Sequence, residues 1–268
     1  MAFTPDEINR ILEPYGRKAN KALGQNFCTD TDLLASAVEK TEICGLPVIE
    51  IGPGLGALTV ELVKHSPSVT VIEKDAFLAE LLSQIVQESN LTVICGDALK
   101  TDFRSLMSGQ DTVIVGNLPY YITTPLIQKV LPLLPAKCLL MVQKEASDRF
   151  FAKPKDRVYG PTAILTQTYF EPLLFADVSR DRFYPQPEVD SAMVILNRRA
   201  GHASLPDPYA FFRFILSAFS MRRKTLRNNF PKDSGLSGAL AALGLPVDCR
   251  AEDLEPSDFT ALYRKLHS

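Results

Sequence analysis

Between residues 47 and 151 the chain alternates short apolar segments with longer segments of helical periodicity. The apolar segments are rich in β-branched residues, which favours strands, and the first four end at a glycine, an acid or an asparagine. Strands that alternate with helices pair in parallel through right-handed crossovers. This region therefore predicts a doubly wound, mostly parallel α/β sheet. The five predicted strands are Val48–Ile51, Val69–Ile72, Leu91–Cys95, Thr112–Gly116 and Cys138–Val142.

The rest of the chain predicts one large domain and one small one. Two further strands are expected at Leu173–Val178 and Ala192–Leu196, and Gly201–Pro208 has the composition of a linker. Beyond the linker the pattern is helical, without a convincing strand. We therefore expect a Rossmann-like domain over residues 1–200, which includes a basic N-terminal arm, and a small all-helical domain over residues 201–268.

Composition narrows the functional classes. The net charge is −2 with a pI near 6.0, so a nucleic-acid site has to be a local basic patch. The 5 cysteines are odd in number and lack a Cys-x-x-Cys pair, and the 3 histidines are far apart. These features argue against a disulfide framework or a metal site and favour a reducing compartment. No apolar run reaches membrane-spanning length and the N-terminus has no signal-like segment, so the cytoplasm is expected.

The segment from Val113 to Tyr121 ends a buried strand abruptly. Pro119 has no N–H and cannot extend the strand, so the carbonyls of the turn are free to face a cleft. The amide of Asn117, the carbonyl of Leu118 and the ring of Tyr120 together suit a planar, amino-bearing heterocycle such as adenine. The alternative is an ordinary strand-to-helix turn with a capping asparagine and a core tyrosine.

Three other strand ends suggest a nucleoside-type ligand. Gly52 and Gly54 belong to a Gly-x-Gly-x-Gly turn, shorter than the Gly-x-Gly-x-x-Gly of dinucleotide binding, and this form suits the amino-acid part of S-adenosylmethionine. Glu73 and Asp97 end the next two strands, where carboxylates can accept from ribose hydroxyls and from an adenine amino group. A single acid at the end of a strand is more often a helix cap, so it is the set of three strand ends that favours a shared ligand.

Taken in order, these motifs resemble the ribosomal RNA adenine N6,N6-dimethyltransferase family, and most closely its bacterial small-subunit (KsgA/RsmA) branch. The resemblance covers nearly the whole chain. The motifs that carry it are Leu23-Gly24-Gln25-Asn26-Phe27, Glu50-Ile51-Gly52-Pro53-Gly54-Leu55-Gly56-Ala57-Leu58-Thr59, Gly96-Asp97-Ala98, Gly116-Asn117-Leu118-Pro119-Tyr120, Phe183-x-Pro185-x-Pro187-x-Val189-x-Ser191, Arg222-Arg223-Lys224-Thr225-Leu226-Arg227-Asn228 and Arg250-Ala251-Glu252-x-Leu254.

The resemblance implies a class I S-adenosylmethionine-dependent methyltransferase that dimethylates two adjacent adenosines in the 3′-terminal hairpin loop of 16S rRNA. The implied target-base residues are Asn117, Leu118 and Tyr120, with Phe183 as the opposing ring. The position of Cys28 usually holds leucine in this family, so a contact there survives only if it uses the backbone. The implied cofactor contacts are Asn26, Cys28, Gly52, Gly54, Glu73, Asp97 and Asn117.

Clustered positive charge indicates RNA as the substrate. No acid occurs among residues 209–232, which carry six basic residues, although such a run is often only a solvated helix face. The predicted RNA-binding residues are Arg17, Lys18, Lys21, Arg222, Arg223, Lys224 and Arg227.

The expected partner is 16S rRNA in a small-subunit precursor, with a monomeric enzyme and neither a metal nor a membrane. Three alternatives stay open. The first is a large-subunit rRNA methyltransferase of the macrolide-resistance type, the second an assembly factor for which methylation is secondary, and the third a nicotinamide dehydrogenase. The glycine spacing counts against the last of these.

Overall fold

The computed structural model describes residues 3–20, 23–107, 109–201 and 205–267, except for the side chains of Gln110 and Tyr120. Within these residues the strands are β1 (Phe27–Cys28), β2 (Val48–Ile51), β3 (Val69–Glu73), β4 (Leu91–Cys95), β5 (Val113–Asn117), β6 (Lys137–Gln143), β7 (Phe170–Val178), β8 (Phe183–Tyr184) and β9 (Ser191–Arg198). The α-helices are α1 (Pro5–Leu12), α2 (Thr31–Thr41), α3 (Thr59–His65), α4 (Ala76–Ile85), α5 (Phe103–Leu106), α6 (Thr123–Val130), α7 (Lys144–Phe151), α8 (Pro161–Tyr169), α9 (Pro208–Ala218), α10 (Leu236–Ala242) and α11 (Pro256–Leu266).

Seven strands form one sheet in the order β4-β3-β2-β5-β6-β9-β7. The first five strands in this order, β4 to β6, are all parallel to their neighbours, and β9 runs antiparallel to β6. The five strands predicted between residues 47 and 151 are confirmed to within one residue at either end, and so is the doubly wound, mostly parallel fold. Strand order reverses between β2 and β5, which is where open α/β sheets place their ligands.

Local sequence explains where the helices beside this edge begin. The carboxylate of Asp30 accepts from the N–H of Leu33 and caps α2, and Asp75 caps α4 by accepting from Phe77 N–H. Strand β2 is buried along its whole length because both faces of the sheet are covered, as its uninterrupted apolar pattern requires. The ends of these strands are therefore held by a well-packed core.

A second, two-stranded sheet pairs β1 with β8 in antiparallel register, Cys28 opposite Phe183. The sequence predicts a turn near residue 27 and a proline-rich loop over residues 182–191, so these short strands are a difference from expectation. Two-residue strands have no alternation that a pattern can detect.

Contacts divide the chain into two compact units. Unit 2 includes the predicted helical domain but also takes in α8, because α8 packs against α9 and α11. The predicted boundary at residue 200 therefore differs from this division. Unit 1 comprises the described residues of Met1–Val130, Pro135–Ser147 and Leu173–Asn197, and unit 2 those of Leu131–Leu134, Asp148–Pro172 and Arg198–Ser268.

Candidate active site

Unit 1 contains a cavity at the carboxyl ends of β2, β3, β4 and β5. Eight of the predicted site residues line it, so the expected convergence of separate strand ends is observed, although their roles in binding stay predictions. The side chain of Tyr120 lies outside the described part of the chain. The eight residues are Asn26, Cys28, Gly52, Gly54, Glu73, Asp97, Asn117 and Leu118.

The glycine turn after β2 brings backbone close to the cavity. Gly52 and Gly54 have φ values of 67° and 59°, in the left-handed region that favours glycine. A Cβ added to Gly54 would lie 2.9 Å from a ring carbon of Phe27. Only glycine therefore allows this turn and the buried Phe27 ring to pack together.

Glu73 joins the end of β3 to this turn. One carboxylate oxygen accepts from the N–H of Gly54 at 3.1 Å, and the other accepts from the N–H of Asp75 at 2.8 Å. Burial raises the pKa of Glu73, and these two backbone hydrogen bonds oppose the rise. The carboxylate is thus fixed in orientation at the wall of the cavity, and its remaining lone pairs suit hydroxyl donors.

Asp97 at the end of β4 is held in its charged form. Lys74 Nζ lies 3.1 Å from one carboxylate oxygen, and the N–H of Leu99 donates to the other at 2.9 Å. The hydrogen bond from Lys74, with that from Leu99, keeps the pKa of Asp97 below its ordinary value. Lys74 also lines the cavity and was not predicted. The sequence feature that could have indicated it is its position directly after Glu73, at the end of a predicted strand.

Asn117 is oriented by the N-terminal arm. Its amide nitrogen donates to the main-chain carbonyl of Asn26 at 3.0 Å, and since that carbonyl can only accept, the amide oxygen is the group left to accept. The N–H of Leu118 donates to the carbonyl of Met141 at 3.0 Å, which continues the β5–β6 pairing for one residue. Among the described residues, no backbone hydrogen bond reaches the Leu118 carbonyl.

The arm itself is tied to the start of α4. Gln25 donates from its amide nitrogen to Asp75 at 3.1 Å and accepts from the N–H of Asn20 at 2.7 Å. The guanidinium of Arg17 lies 5.0 Å from the ring centre of Phe77. Of the predicted arm cations, Arg17 is thus stacked on a ring, Lys18 is exposed, and Lys21 lies outside the described residues.

Cys28 and Phe183 are both buried across the β1–β8 pair. Burial raises the pKa of the Cys28 thiol to about 11, so the residue stays neutral and acts as a small apolar group. Phe183 is only 4% exposed and packs in the core cluster with Cys28. Phe183 is not among the residues that line the cavity, so the structure does not bring it to the other target-base residues. Its role as an opposing ring stays a prediction.

Glu50, a cavity residue that was not predicted, is a buried carboxyl group. The Thr59 hydroxyl donates to it at 2.6 Å. Burial raises its pKa to about 8, the Thr59 hydrogen bond opposes the rise, and the charge of Glu73 adds to it. Its position in the sequence, an acid within a buried strand just before the glycine turn, could have indicated that Glu50 belongs to the site.

We expect Glu50→Gln to flatten the pH dependence of stability. The folded protein holds a proton on Glu50 that the unfolded chain loses above a pH near 4.5, so stability falls as the pH rises from there to about 8. The variant should be more stable than the parent at pH 8, by on the order of 3–5 kcal/mol, and the gap should narrow towards pH 5. Urea unfolding at both pH values measures this. Glu39→Gln, on the exposed surface of α2, is the control, and an unchanged gap between pH 5 and pH 8 would show that Glu50 does not titrate as described.

Unit 2 carries the predicted basic segment. Arg223, Lys224 and Arg227 are exposed in the turns that follow α9, whereas the guanidinium of Arg222 is hydrogen-bonded to the protein. The described residues contain no group of three or more His, Cys, Asp or Glu side chains placed to hold a metal ion. Among all the residues that the structure describes, in both units, no helix is long and apolar enough to cross a membrane.

The mostly parallel sheet, its glycine turn and the acids at the next two strand ends define a class I S-adenosylmethionine-dependent methyltransferase. The family model described as ribosomal RNA adenine dimethylase matches residues 16–265. This chain belongs to that family.

Known relatives agree with this membership. Ribosomal RNA small subunit methyltransferase A of Bacillus mycoides is 40% identical over 281 residues, which cover 98% of this chain and 96% of that protein. The same identity and coverage hold for its namesake in Bacillus thuringiensis. The predicted family and enzyme class, an S-adenosylmethionine-dependent rRNA adenine dimethyltransferase, are confirmed.

Two solved structures share the fold. A dimethyladenosine transferase from Plasmodium falciparum is 25% identical with a TM-score of 0.73, and the match covers 87% of this chain and 95% of that one. The 23S rRNA methyltransferase ErmE is 26% identical with a TM-score of 0.64, over 91% of this chain and 100% of that one. The predicted fold class is therefore confirmed as well.

Proposed function

We propose that this chain transfers methyl groups from S-adenosylmethionine to N6 of two adjacent adenosines in the 3′-terminal hairpin loop of 16S rRNA, until each is dimethylated. The substrate is a precursor of the small ribosomal subunit in the cytoplasm, and the enzyme acts as a monomer. The observation that carries the proposal is the orientation of Asn117, whose amide nitrogen is engaged by the Asn26 carbonyl beside the freed carbonyl of Leu118.

The lining residues fit the parts of the cofactor. The glycine turn offers closely approachable backbone for the amino-acid part, and the buried carboxylate of Glu73 offers acceptors for the ribose hydroxyls. Asp97, kept charged by Lys74, offers an acceptor for the adenine amino group. When bound, S-adenosylmethionine supplies an electrophilic methyl group on a sulfonium.

The residues at the end of β5 act on the target amine. The exocyclic nitrogen of adenine is a poor nucleophile because its lone pair is delocalised into the ring. As it attacks, it becomes tetrahedral and gains positive charge, so its hydrogens become better donors. The Asn117 amide oxygen and the Leu118 carbonyl accept the two hydrogens in the first transfer, and one of them accepts the single remaining hydrogen in the second, so they stabilise the transition state more than the ground state. The nitrogen would form its bond to the methyl carbon as the bond between that carbon and sulfur breaks, and the methylated amine then releases one proton to water.

An adenine inside a stacked RNA helix is out of reach, so the target base has to be unstacked first. Tyr120 directly follows the Asn-Leu-Pro turn and is proposed to stack on the everted base. Stacking on an aromatic side chain contributes about 1–3 kcal/mol per base, enough to offset much of the cost of eversion.

A large-subunit target is the second candidate, because the ErmE structure matches 91% of this chain. The identity is 26% to that protein, against 40% to the small-subunit methyltransferases of Bacillus. The Arg222-to-Asn228 motif in unit 2 also resembles the small-subunit branch. The small subunit is therefore the favoured substrate.

Radiolabelled S-adenosylmethionine tests the choice of substrate. We expect label to enter unmethylated small subunits and to be recovered as N6,N6-dimethyladenosine at two adjacent positions. Large subunits and free DNA should stay unlabelled under the same conditions. Label on large-subunit RNA, or monomethyladenosine as the only product at saturating enzyme, would overturn the proposal.

A further inference from the structure

A basic loop of unit 2, Lys153 to Arg157, is fastened to the protein by its backbone. The N–H of Lys155 donates to the main-chain carbonyl of Glu252 at 2.9 Å, and Lys153 N–H donates to the carboxylate of Asp156 at 2.7 Å. Two residues after the loop, the hydroxyl of Tyr159 donates to the carbonyl of Leu254 at 2.7 Å. These bonds leave the side chains of Lys153, Lys155 and Arg157 exposed on a rigid backbone.

Arg222 fastens the same loop from a second side. Its Nε donates to the carboxylate of Glu252 at 2.8 Å, and its terminal nitrogens donate to the carbonyls of Arg157 at 2.7 Å and Asp156 at 3.0 Å. Three of the five guanidinium donors are thus used within the protein. A bidentate grip on a phosphate needs two of these donors in a free fork, so Arg222 is poorly suited to bind RNA directly.

The neighbours of Arg222 are placed differently. Arg223 and Lys224 are exposed and lie one and two residues after Arg222, whose guanidinium contacts the loop. Of the acids in contact with the loop, Glu252 pairs with Arg222, and Asp156 accepts from Lys153 N–H while keeping its negative charge. Residues 153–157 and 223–224 therefore carry five exposed cations and one exposed acid, Asp156.

We propose that Lys153, Lys155, Arg157, Arg223 and Lys224 form one surface that binds the phosphate backbone of the substrate RNA. Arg222 is a positioning residue that holds the loop beside the turn. The proposal rests on the proposed function, since it takes the rRNA as the ligand. Because the backbone of the loop is already held, RNA binding has to order only the side chains, which favours affinity and a single docking register.

A double substitution in the loop tests the surface. Lys155 has a φ of 73°, which asparagine tolerates, and Arg157 can lose its side chain while its carbonyl stays with Arg222. We expect Lys155→Asn/Arg157→Gln to weaken binding to unmethylated small subunits at least about tenfold. The slope of log affinity against log salt should fall by about 1–2. Affinity for S-adenosylmethionine and the melting temperature should not change.

Lys40→Gln/Lys64→Gln removes the same charge from exposed positions on α2 and α3 and serves as the matched control. It should leave the salt slope close to that of the parent. If the loop variant matches this control in both affinity and slope, the surface is not a phosphate site. That result would overturn this proposal alone, provided that the parent still forms dimethyladenosine. A parent that forms none would refute the proposed function, whatever the binding shows.

Arg222→Gln distinguishes a positioning role from direct binding. As a positioning residue, it should lower RNA affinity in the parent but add little to the Lys155→Asn/Arg157→Gln variant. The amide of Lys155 should also exchange faster with deuterium, because the loop loses two carbonyl bonds. An equal loss of affinity in both backgrounds, with unchanged exchange, would make Arg222 a direct phosphate ligand.

Discussion

Asn117→Ala should lower kcat for methyl transfer by about 10²–10³-fold, as the loss of one transition-state hydrogen-bond acceptor commonly does. The physical reason is that the amide oxygen accepts from the target amine as it gains positive charge. The variant also loses the bond to the Asn26 carbonyl at 3.0 Å, which is worth about 1 kcal/mol. Affinity for S-adenosylmethionine should therefore fall less than tenfold. Single-turnover methylation and calorimetric titration measure the two effects separately.

Asn9→Ala is the matched control, because it also removes one side-chain hydrogen bond of unit 1, from Tyr184 at 2.9 Å, away from the cavity. It should leave kcat within about twofold of the parent. If both variants lose activity equally, Asn117 is a structural residue.

Small-subunit assembly in cells that carry Asn117→Ala tests whether methylation or binding is the main task. Normal assembly without methylation would make binding, not catalysis, the main task of the protein.

Gly54→Ala should destabilise the fold by about 2–5 kcal/mol and abolish measurable binding of S-adenosylmethionine. Its φ of 59° strains any side chain, and the added methyl would meet the Phe27 ring at 2.9 Å. Phe27 is buried and cannot move aside without disturbing β1. The turn would therefore shift away from Glu73, whose carboxylate accepts from the Gly54 N–H.

Gly45→Ala separates backbone strain from the clash with the Phe27 ring, because Gly45 has a φ of 78° but nothing lies within 4 Å of an added Cβ. It should cost only the backbone strain, about 1–2 kcal/mol, and should spare cofactor binding. Chemical denaturation and calorimetric titration of both variants provide the comparison. Equal destabilisation with intact cofactor affinity in both would show that the contact between Gly54 and Phe27 is unimportant.

The sheet and the part of the cavity formed by its strand ends could be predicted from sequence, because Gly52, Glu73, Asp97 and Asn117 follow apolar segments rich in β-branched residues. Glu73, Asp97 and Asn117 line one cavity because β3, β4 and β5 run parallel and so end at the same edge of the sheet, which follows from how strands and helices are connected and not from individual side chains. The local sequence pattern thus predicted where each strand ends, and the rules of strand connection predicted that these ends meet.

What the sequence could not predict depends on contacts between distant segments. Phe183 lies in a proline-rich stretch that looks exposed, yet its ring is buried because β8 pairs with β1, some 155 residues earlier. Arg222 belongs to a run of positive charge, yet it is hydrogen-bonded to Glu252 and to a loop 65 residues away in the chain. Neither partner is visible in the local pattern around these residues.

A crystal structure with S-adenosylhomocysteine and adenosine would test most directly whether these strand ends form one methyl-transfer site. We predict that the ribose hydroxyls of the product lie against Glu73 and its adenine against Asp97. The N6 atom of the adenosine should lie within hydrogen-bonding distance of the Asn117 side-chain oxygen and the Leu118 carbonyl. Binding of either molecule away from these residues, or an adenosine that presents another atom to Asn117, would contradict the proposed site.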